Sequence, residues 1–118
     1  MLLFGIKNCG SVQKARKFMD QRGIVYDFID LKMNAPAKID IQKWVELKGI
    51  EIVLNSKGAT YKNLGLKNMD LDLSDKIDLC HKNPLLLKRP IIDNLKNNQI
   101  LIGFNEEEYK TYFVRSEN

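Results

Sequence analysis

The sequence contains few of the residues that build disulfide frameworks or metal sites. Its 118 residues include two cysteines, Cys9 and Cys80, and a single histidine, His81. Two cysteines cannot form the disulfide framework of a small secreted scaffold, and no spacing typical of zinc ligands is present. We therefore predict no metal site and a cytoplasmic location, where both thiols remain reduced.

Long apolar runs and blocks of like charge are absent as well. The N-terminal stretch MLLFGIKNCG starts apolar, but no basic residue precedes the apolar run. It is also too short for a signal peptide or a membrane span. The net charge is +4 and the lysines are scattered, so we expect neither membrane association nor direct nucleic-acid binding.

The overall composition is that of an ordinary globular protein, with 44% hydrophobic and 29% charged residues. At this length the simplest organisation is a single domain over residues 1–118, which we expect to be a monomer.

The first third of the chain predicts a β-α-β unit. Residues 2–6 form a short apolar run that is typical of a buried strand. Ser11 is a candidate N-cap for a helix that continues to Arg22, with apolar residues at helical spacing. Residues 24–31 are rich in β-branched and aromatic residues, which favour a second strand. This order indicates a parallel crossover.

The middle of the chain, about residues 33–84, predicts a helical insertion. Asp40 is a candidate cap for one helix, residues 51–54 form a further turn, and residues 74–82 form another helix. Residues 55–68, between the last two, are expected to be a loop. The region is too short for a core of its own, so we interpret it as an insertion rather than a domain.

The last third predicts a β-hairpin and a helix. Pro90 stands where a strand begins, and NNQILIGF supplies a turn and a second strand. Asn105 and Glu108 are spaced as in a capping box. The sum, β-α-β followed by the insertion and β-β-α, is the plan of an α/β thioredoxin-like fold with a mixed four-stranded sheet.

Cys9 is the candidate reactive residue. It precedes the first predicted helix, where the backbone N–H groups of Gly10 and Ser11 and the helix dipole would stabilise a thiolate or a bound oxyanion. Lys7 would add positive charge. The alternative is that Cys9 is a small turn residue with a buried, inert sulfur, and the local pattern leaves both interpretations open.

Four other residues bear on the chemistry at Cys9. Val12 occupies the place of a second cysteine three residues on, which excludes a dithiol pair at this turn. Cys80 falls on the apolar side of a predicted helix and is expected to be a core residue. Pro90 is a candidate cis proline, and the guanidinium of the adjacent Arg89 suits bidentate binding of an oxyanion.

Four segments together resemble the arsenate-reductase-like ArsC/Spx/YffB family, which has a thioredoxin fold. They are GIKNCGSVQKARKF, LNSKGATYKNLGL, LLLKRPII and LIGFNEEEY. They occur in the family's order between Leu3 and Phe113, and the KNC turn and the ending are most similar to the YffB-like branch.

The resemblance implies a role for several residues. Cys9 matches the nucleophilic cysteine that attacks arsenate in the reductases and is then resolved by glutathione and glutaredoxin. Arg89 matches an oxyanion-binding arginine, and Pro90 matches the adjacent cis proline. Lys57 stands where the reductases carry a second arginine, and it keeps the charge without the bidentate geometry. A third arginine is replaced by Phe104.

These departures favour a glutathione-dependent thiol oxidoreductase with a single cysteine over arsenate reduction proper. Glutathione is the expected co-substrate, with glutathione or a glutaredoxin-type protein as reductant and no tightly bound cofactor. The Spx branch suggests a different class of function, a transcriptional regulator that binds the C-terminal domain of the RNA polymerase α subunit. Val12 removes the Cys-x-x-Cys switch typical of that branch.

Overall fold

The strands of the chain form one four-stranded mixed sheet with the order β2–β1–β3–β4. The computed structural model describes residues 1–113, apart from the side chain of Asn97. The strands are β1 (Leu2–Gly5), β2 (Asp27–Asp30), β3 (Ile91–Asp93) and β4 (Leu101–Ile102). The α-helices are α1 (Gly10–Gln21), α2 (Lys38–Lys48), α3 (Ile50–Val53), α4 (Ala59–Asn63), α5 (Leu73–Lys82) and α6 (Glu106–Phe113).

The pairing of the strands confirms the predicted hairpin. β1 is antiparallel to β3, with Phe4 opposite Ile91, and β3 is antiparallel to β4, with Ile91 opposite Ile102. The peptide bond between Arg89 and Pro90 is cis, as the sequence suggested. The fold is therefore an α/β thioredoxin-like fold with a helical insertion.

The chain divides into two compact units. The sheet unit comprises Met1–Phe28 and the chain from Arg89 onward, and the helical unit comprises Ile29–Lys88. The single domain over residues 1–118 stays a prediction, and residues 114–118 lie outside the described range.

The core of the sheet unit joins its strands to α1 and α6. The apolar face of α1 is buried, as its spacing predicts. This face packs with residues of β1, β3, β4 and α6 in one cluster, whose buried members are Leu3, Val12, Ala15, Phe18, Met19, Ile92, Leu101, Tyr109 and Phe113.

The helical unit has a core of its own, contrary to the sequence prediction, and this core lies where α2 packs against α3 and α5. Ile41 and Trp44 of α2 and Cys80 of α5 have no solvent exposure. At the surface, Lys38 of α2 forms an ion pair with Asp78 of α5. This contact, mainly through its hydrogen bond, lowers the pKa of the Asp78 carboxyl.

Several predicted element boundaries are wrong for local reasons. α1 begins at Gly10 with Cys9 as its N-cap, not Ser11. β2 begins only at Asp27, because residues 22–24 close the end of α1. There the Ile24 N–H donates to the Met19 carbonyl at 3.0 Å, and Gly23 has a φ of 66°.

The helical unit also differs from the sequence prediction in detail. α2 begins at Lys38 after Ala37, so Asp40 lies in its first turn instead of capping it. The segment predicted as a loop contains α4 and a 3-10 turn at Leu66–Asn68. No helix within residues 1–113 is both long and apolar enough to cross a membrane.

Candidate functional site

Cys9 lies at the junction between β1 and α1. Its backbone is extended, with φ −90° and ψ 128°, and it is the N-cap of α1. The Cys9 N–H donates to the Ile6 carbonyl at 3.3 Å, and the Gln13 N–H donates to the Cys9 carbonyl at 3.0 Å. The residue is partly exposed, and its inner side packs against the core of the sheet unit. Cys9 is therefore held in place while part of the residue stays exposed to solvent.

The first turn of α1 favours an anion near this thiol. α1 has 12 residues, and its first turn contains no acidic residue. Within the described chain, the Cys9 side chain makes no capping hydrogen bond, so it does not satisfy the N–H groups of that turn. Those N–H groups and the helix dipole attract negative charge. Gly10 and Ser11 are exposed.

Lys7 belongs to the turn that leads into Cys9. The Gln13 side-chain amide donates to the Lys7 carbonyl at 3.1 Å, which ties this turn to α1. The Lys7 side chain is exposed and adds a positive charge to the turn. The Gln13 side chain thus supports the turn at Lys7, a contact that the sequence pattern does not predict.

The cis proline lies at the same end of the sheet as the Cys9 turn. In the β1–β3 register Phe4 faces Ile91, which places Pro90 beside Gly5 as β1 ends. The Gly103 N–H donates to the Pro90 carbonyl at 2.8 Å and holds this segment from the other side. Pro90 is buried and Arg89 is partly buried. Two of the predicted site segments, residues 7–11 and 89–90, therefore lie at the same end of the central strands β1 and β3.

Gly5 positions α1 on the sheet. A Cβ atom at Gly5 would lie 2.7 Å from Cγ2 of Val12, which is closer than such atoms approach. The absence of a side chain thus lets α1 lie close to β1 one turn after Cys9. The sequence analysis missed this contact, and the only signal for it was a glycine at the end of an apolar strand.

Lys57 lies in the helical unit. It is exposed and lines a cavity of about 400 Å³ together with Lys62 and Lys67. The neighbours of Lys57 that the structure describes thus belong to the helical unit. Its role toward an oxyanion at Cys9 stays a prediction.

Cys80 is a core residue, as predicted. It has no solvent exposure, and burial raises the pKa of its thiol to about 12. A buried, protonated thiol is a poor nucleophile. Among the described residues, no group of three or more His, Cys, Asp and Glu side chains is placed to hold a metal ion.

Comparison with known proteins places the site in a family context. The model of the ArsC family matches residues 4–112. An uncharacterized protein of Haemophilus influenzae is 34% identical over 117 residues, covering 95% of this chain and 97% of its own. The global transcriptional regulator Spx of Streptococcus pyogenes serotype M1 is 32% identical, covering 96% of this chain and 84% of its own.

Solved structures give the same result. The YFFB protein superposes with a TM-score of 0.86 at 31% identity, covering 94% of this chain and 96% of its own. An ArsC family related protein from Bacteroides fragilis superposes with a TM-score of 0.80 at 26% identity, covering 94% and 97%. The arsenate reductase of Vibrio cholerae, at 14% identity and a TM-score of 0.71, shares the fold and covers 96% and 94%.

Proposed function

This chain belongs to the ArsC family, and from that premise we propose that it is an arsenate reductase-like thiol oxidoreductase that uses Cys9 as its single nucleophile and glutathione as co-substrate. The observation that carries the proposal is the position of Cys9. Its partly exposed side chain makes no capping bond within residues 1–113, and it precedes a helix whose first turn has no acidic residue.

The proposed reaction is a thiol–disulfide exchange in two steps. The Cys9 thiolate attacks a glutathione mixed disulfide at the glutathione sulfur, the substrate thiolate leaves and takes up a proton, and Cys9 becomes glutathionylated. The thiolate of a second glutathione then attacks the glutathione sulfur of that adduct, which releases oxidised glutathione and the Cys9 thiolate. A glutaredoxin-type thiol could serve the second step in place of glutathione.

The surrounding residues would act through charge and shape. The N–H groups of Gly10 and Ser11, with Lys7, would stabilise the thiolate and the carboxylates of glutathione. Arg89 would bind an anionic group of the substrate, and Pro90 would form the edge along which the peptide lies. Lys57 is proposed as a second cation on the basis of the family resemblance. Glutathione chemistry of this kind belongs in a reducing cytoplasm, where the protein would act as a monomer without a tightly bound cofactor.

The deciding experiment measures glutathione-dependent turnover of a mixed disulfide and of arsenate. We expect Cys9→Ser to abolish turnover and Cys80→Ala to retain it, since Cys80 is buried. Equal turnover by the native chain and Cys9→Ser would exclude the proposed nucleophile. An NMR titration with glutathione should shift signals of residues 7–12 and 88–90, and the absence of shifts at saturating glutathione would exclude the co-substrate.

A second candidate function rests on the relatives named as Spx regulators, such as the one at 32% identity. In this alternative the chain binds the C-terminal domain of the RNA polymerase α subunit. Val12 leaves no dithiol switch at the Cys9 turn, so this binding would not depend on redox state. Copurification with RNA polymerase that is unaffected by Cys9→Ser, together with a lack of turnover, would favour the regulator.

A further inference from the structure

The helical unit contains a cavity whose lining is basic. Its volume is about 400 Å³, within the range of small-molecule sites. Three lysines line it, Lys57, Lys62 and Lys67, and its polar lining is completed by Ser56, Tyr61 and Asn68. We call it the lysine cavity.

Within the described range, the positive charge of the lysine cavity is not paired with carboxylates. The residues that line it include no aspartate or glutamate. Throughout residues 1–113, no carboxylate forms an ion pair with any of the three lysines. The like charges of three lysines that line one cavity repel one another, and a bound anion offsets that repulsion.

The backbone brings two of these lysines together around a glycine. α4 ends at Asn63, and the Gly65 N–H donates to the Lys62 carbonyl at 3.1 Å. Gly65 then takes a left-handed conformation with φ 66°, which reverses the chain into the 3-10 turn that carries Lys67. Leu66, only 3% exposed, anchors this turn in the protein. The positions of Lys62 and Lys67 are therefore set by ordered backbone.

We propose that the lysine cavity binds a phosphate group, either as the free ion or as part of a small phosphorylated molecule. Three ammonium groups carry enough positive charge to neutralise a phosphate dianion, and lysine is a common phosphate ligand. The Ser56 hydroxyl, the Tyr61 hydroxyl and the Asn68 amide supply further hydrogen-bond donors. The volume exceeds what a phosphate ion needs, which leaves room for an organic substituent. Lys57 is also the cation proposed for Cys9, whereas Lys62 and Lys67 have no role there, so a test at these two lysines is independent of the thiol chemistry.

The test is an NMR titration of the full chain with inorganic phosphate, phenyl phosphate and acetate at low ionic strength, where charge attraction is least screened. Saturable shifts at residues 56–68 are expected with the two phosphates. The variant Lys62→Gln/Lys67→Gln should weaken binding about tenfold or more, because it removes two of the three charges. The control Lys48→Gln/Lys76→Gln removes the same charge from the helical unit outside the cavity, and it should bind as the native chain does.

Each result decides a specific point. If phenyl phosphate binds more tightly, the ligand of the cavity is an organic phosphate. If inorganic phosphate binds equally well or more tightly, the ligand is the free ion. The proposal is wrong if no saturable shifts occur, if both double variants lose affinity equally, or if acetate binds as tightly as phosphate. The Lys62→Gln/Lys67→Gln variant should keep the Cys9 alkylation rate and glutathione-dependent turnover of the native chain. The proposal for Cys9 and the proposal for this cavity can therefore fail independently of each other.

Discussion

At the scale of single residues, the two cysteines differ in the properties that govern thiol reactivity. Cys9 is partly exposed at the start of α1, whereas Cys80 is fully buried in α5. Burial disfavours the charged thiolate of Cys80 and raises its pKa to about 12. Only Cys9 combines access to solvent with a helix terminus that favours negative charge.

The first prediction concerns alkylation of the folded chain. With iodoacetamide near neutral pH, we expect one label per chain, on Cys9, because the Cys80 sulfur is not accessible. Mass spectrometry of the digested protein identifies the labelled residue. Cys9→Ser should leave the folded chain unlabelled, and denaturant should expose Cys80 in both. Labelling of Cys80 at the rate of Cys9 under native conditions would contradict this assignment.

The second prediction concerns stability at high pH. Burial raises the pKa of Cys80 from 9.0 to about 12, so the folded state retains its proton where the unfolded state loses it. Its contribution is fully present below pH 9 and is lost as the pH rises toward about 12. Tyr109 acts in the same direction, since burial and the nearby Glu108 raise the pKa of its hydroxyl.

The free energy of unfolding in urea is measured between pH 8 and pH 11. This range begins below the ordinary thiol pKa of 9.0 and ends below the raised pKa of about 12. Each buried group with a raised pKa lowers the free energy of unfolding by up to about 1.4 kcal/mol per pH unit. Cys80→Ala should reduce this slope. An identical slope in the native chain and Cys80→Ala would exclude the effect.

The candidate site was predictable from the sequence where its signals are local. The Cys9 turn stands out because an apolar strand pattern and a helical pattern meet there. The N-cap itself was placed at Ser11, two residues too late, because a serine at a helix start is a strong capping signal. The burial of Cys80 followed from helical spacing, while the support from Gln13 and Gly5 depends on contacts that the spacing does not reveal.

At the scale of elements, the N-terminal cap of α5 is a feature that the sequence prediction did not include. Asp72 is its N-cap and accepts a hydrogen bond from the Asp75 N–H at 2.8 Å. The Asp75 carboxylate in turn accepts from the Asp72 N–H at 3.2 Å, which completes a capping box. The usual box has glutamate or glutamine at the second position, so the Asp-Leu-Ser-Asp sequence was not recognised.

The third prediction follows from this cap. Asp72→Ala should lower the free energy of unfolding by about 1 kcal/mol, because the Asp75 N–H loses its side-chain acceptor at the helix start. Urea denaturation followed by circular dichroism measures the change. Asp70→Ala is the matched control, since it removes an exposed carboxylate just before the cap. A loss at Asp72 no larger than at Asp70 would show that the capping box adds no stability.

The fourth prediction concerns the contact between β1 and α1. A methyl group at Gly5 would lie 2.7 Å from Cγ2 of Val12, so Gly5→Ala must displace α1 or the end of β1. We expect a destabilisation of about 1–3 kcal/mol, as for other overpacked sites, measured as a lower urea midpoint. Because Cys9 follows at the start of α1, the rate of Cys9 alkylation should change as well.

Gly10→Ala is the control for this substitution. Its added methyl group would meet no atom within 4 Å, and it lies in the first turn of the same helix. The change should be neutral or slightly stabilising, because alanine restricts the unfolded chain more than glycine does. If Gly5→Ala were tolerated as well as Gly10→Ala, the close approach of α1 to β1 would not be a constraint.

At the scale of the whole molecule, the thioredoxin-like plan was predictable because its strands and helices carry strong local patterns. The hairpin of β3 and β4 and the apolar face of α1 follow from residue spacing alone. The turn at Gly65 and α4 were not predicted, since five-residue helices rich in polar residues look like loops. The lysine cavity is likewise invisible in sequence, because it forms only when that turn folds.

The last prediction tests the core that joins the sheet unit together. Phe18 of α1 is 4% exposed and lies among Phe104, Tyr109 and Phe113, with ring centroids 6.3, 5.6 and 6.4 Å away. The Arg22 guanidinium covers its other side, 3.7 Å from the ring centroid. Phe18→Ala removes a ring that links α1 to α6, and the expected cost is about 3–5 kcal/mol.

This cost is a large share of the stability that a chain of 118 residues has, roughly 6–18 kcal/mol. We therefore expect a strongly lowered urea midpoint with little change in the denaturant slope. Val25→Ala, at a side chain that is 86% exposed, should change the free energy of unfolding by less than about 0.5 kcal/mol. If the two substitutions had similar effects, the cluster around Phe18 would not be the stabilising core of this unit, and α1 would owe its position to contacts elsewhere.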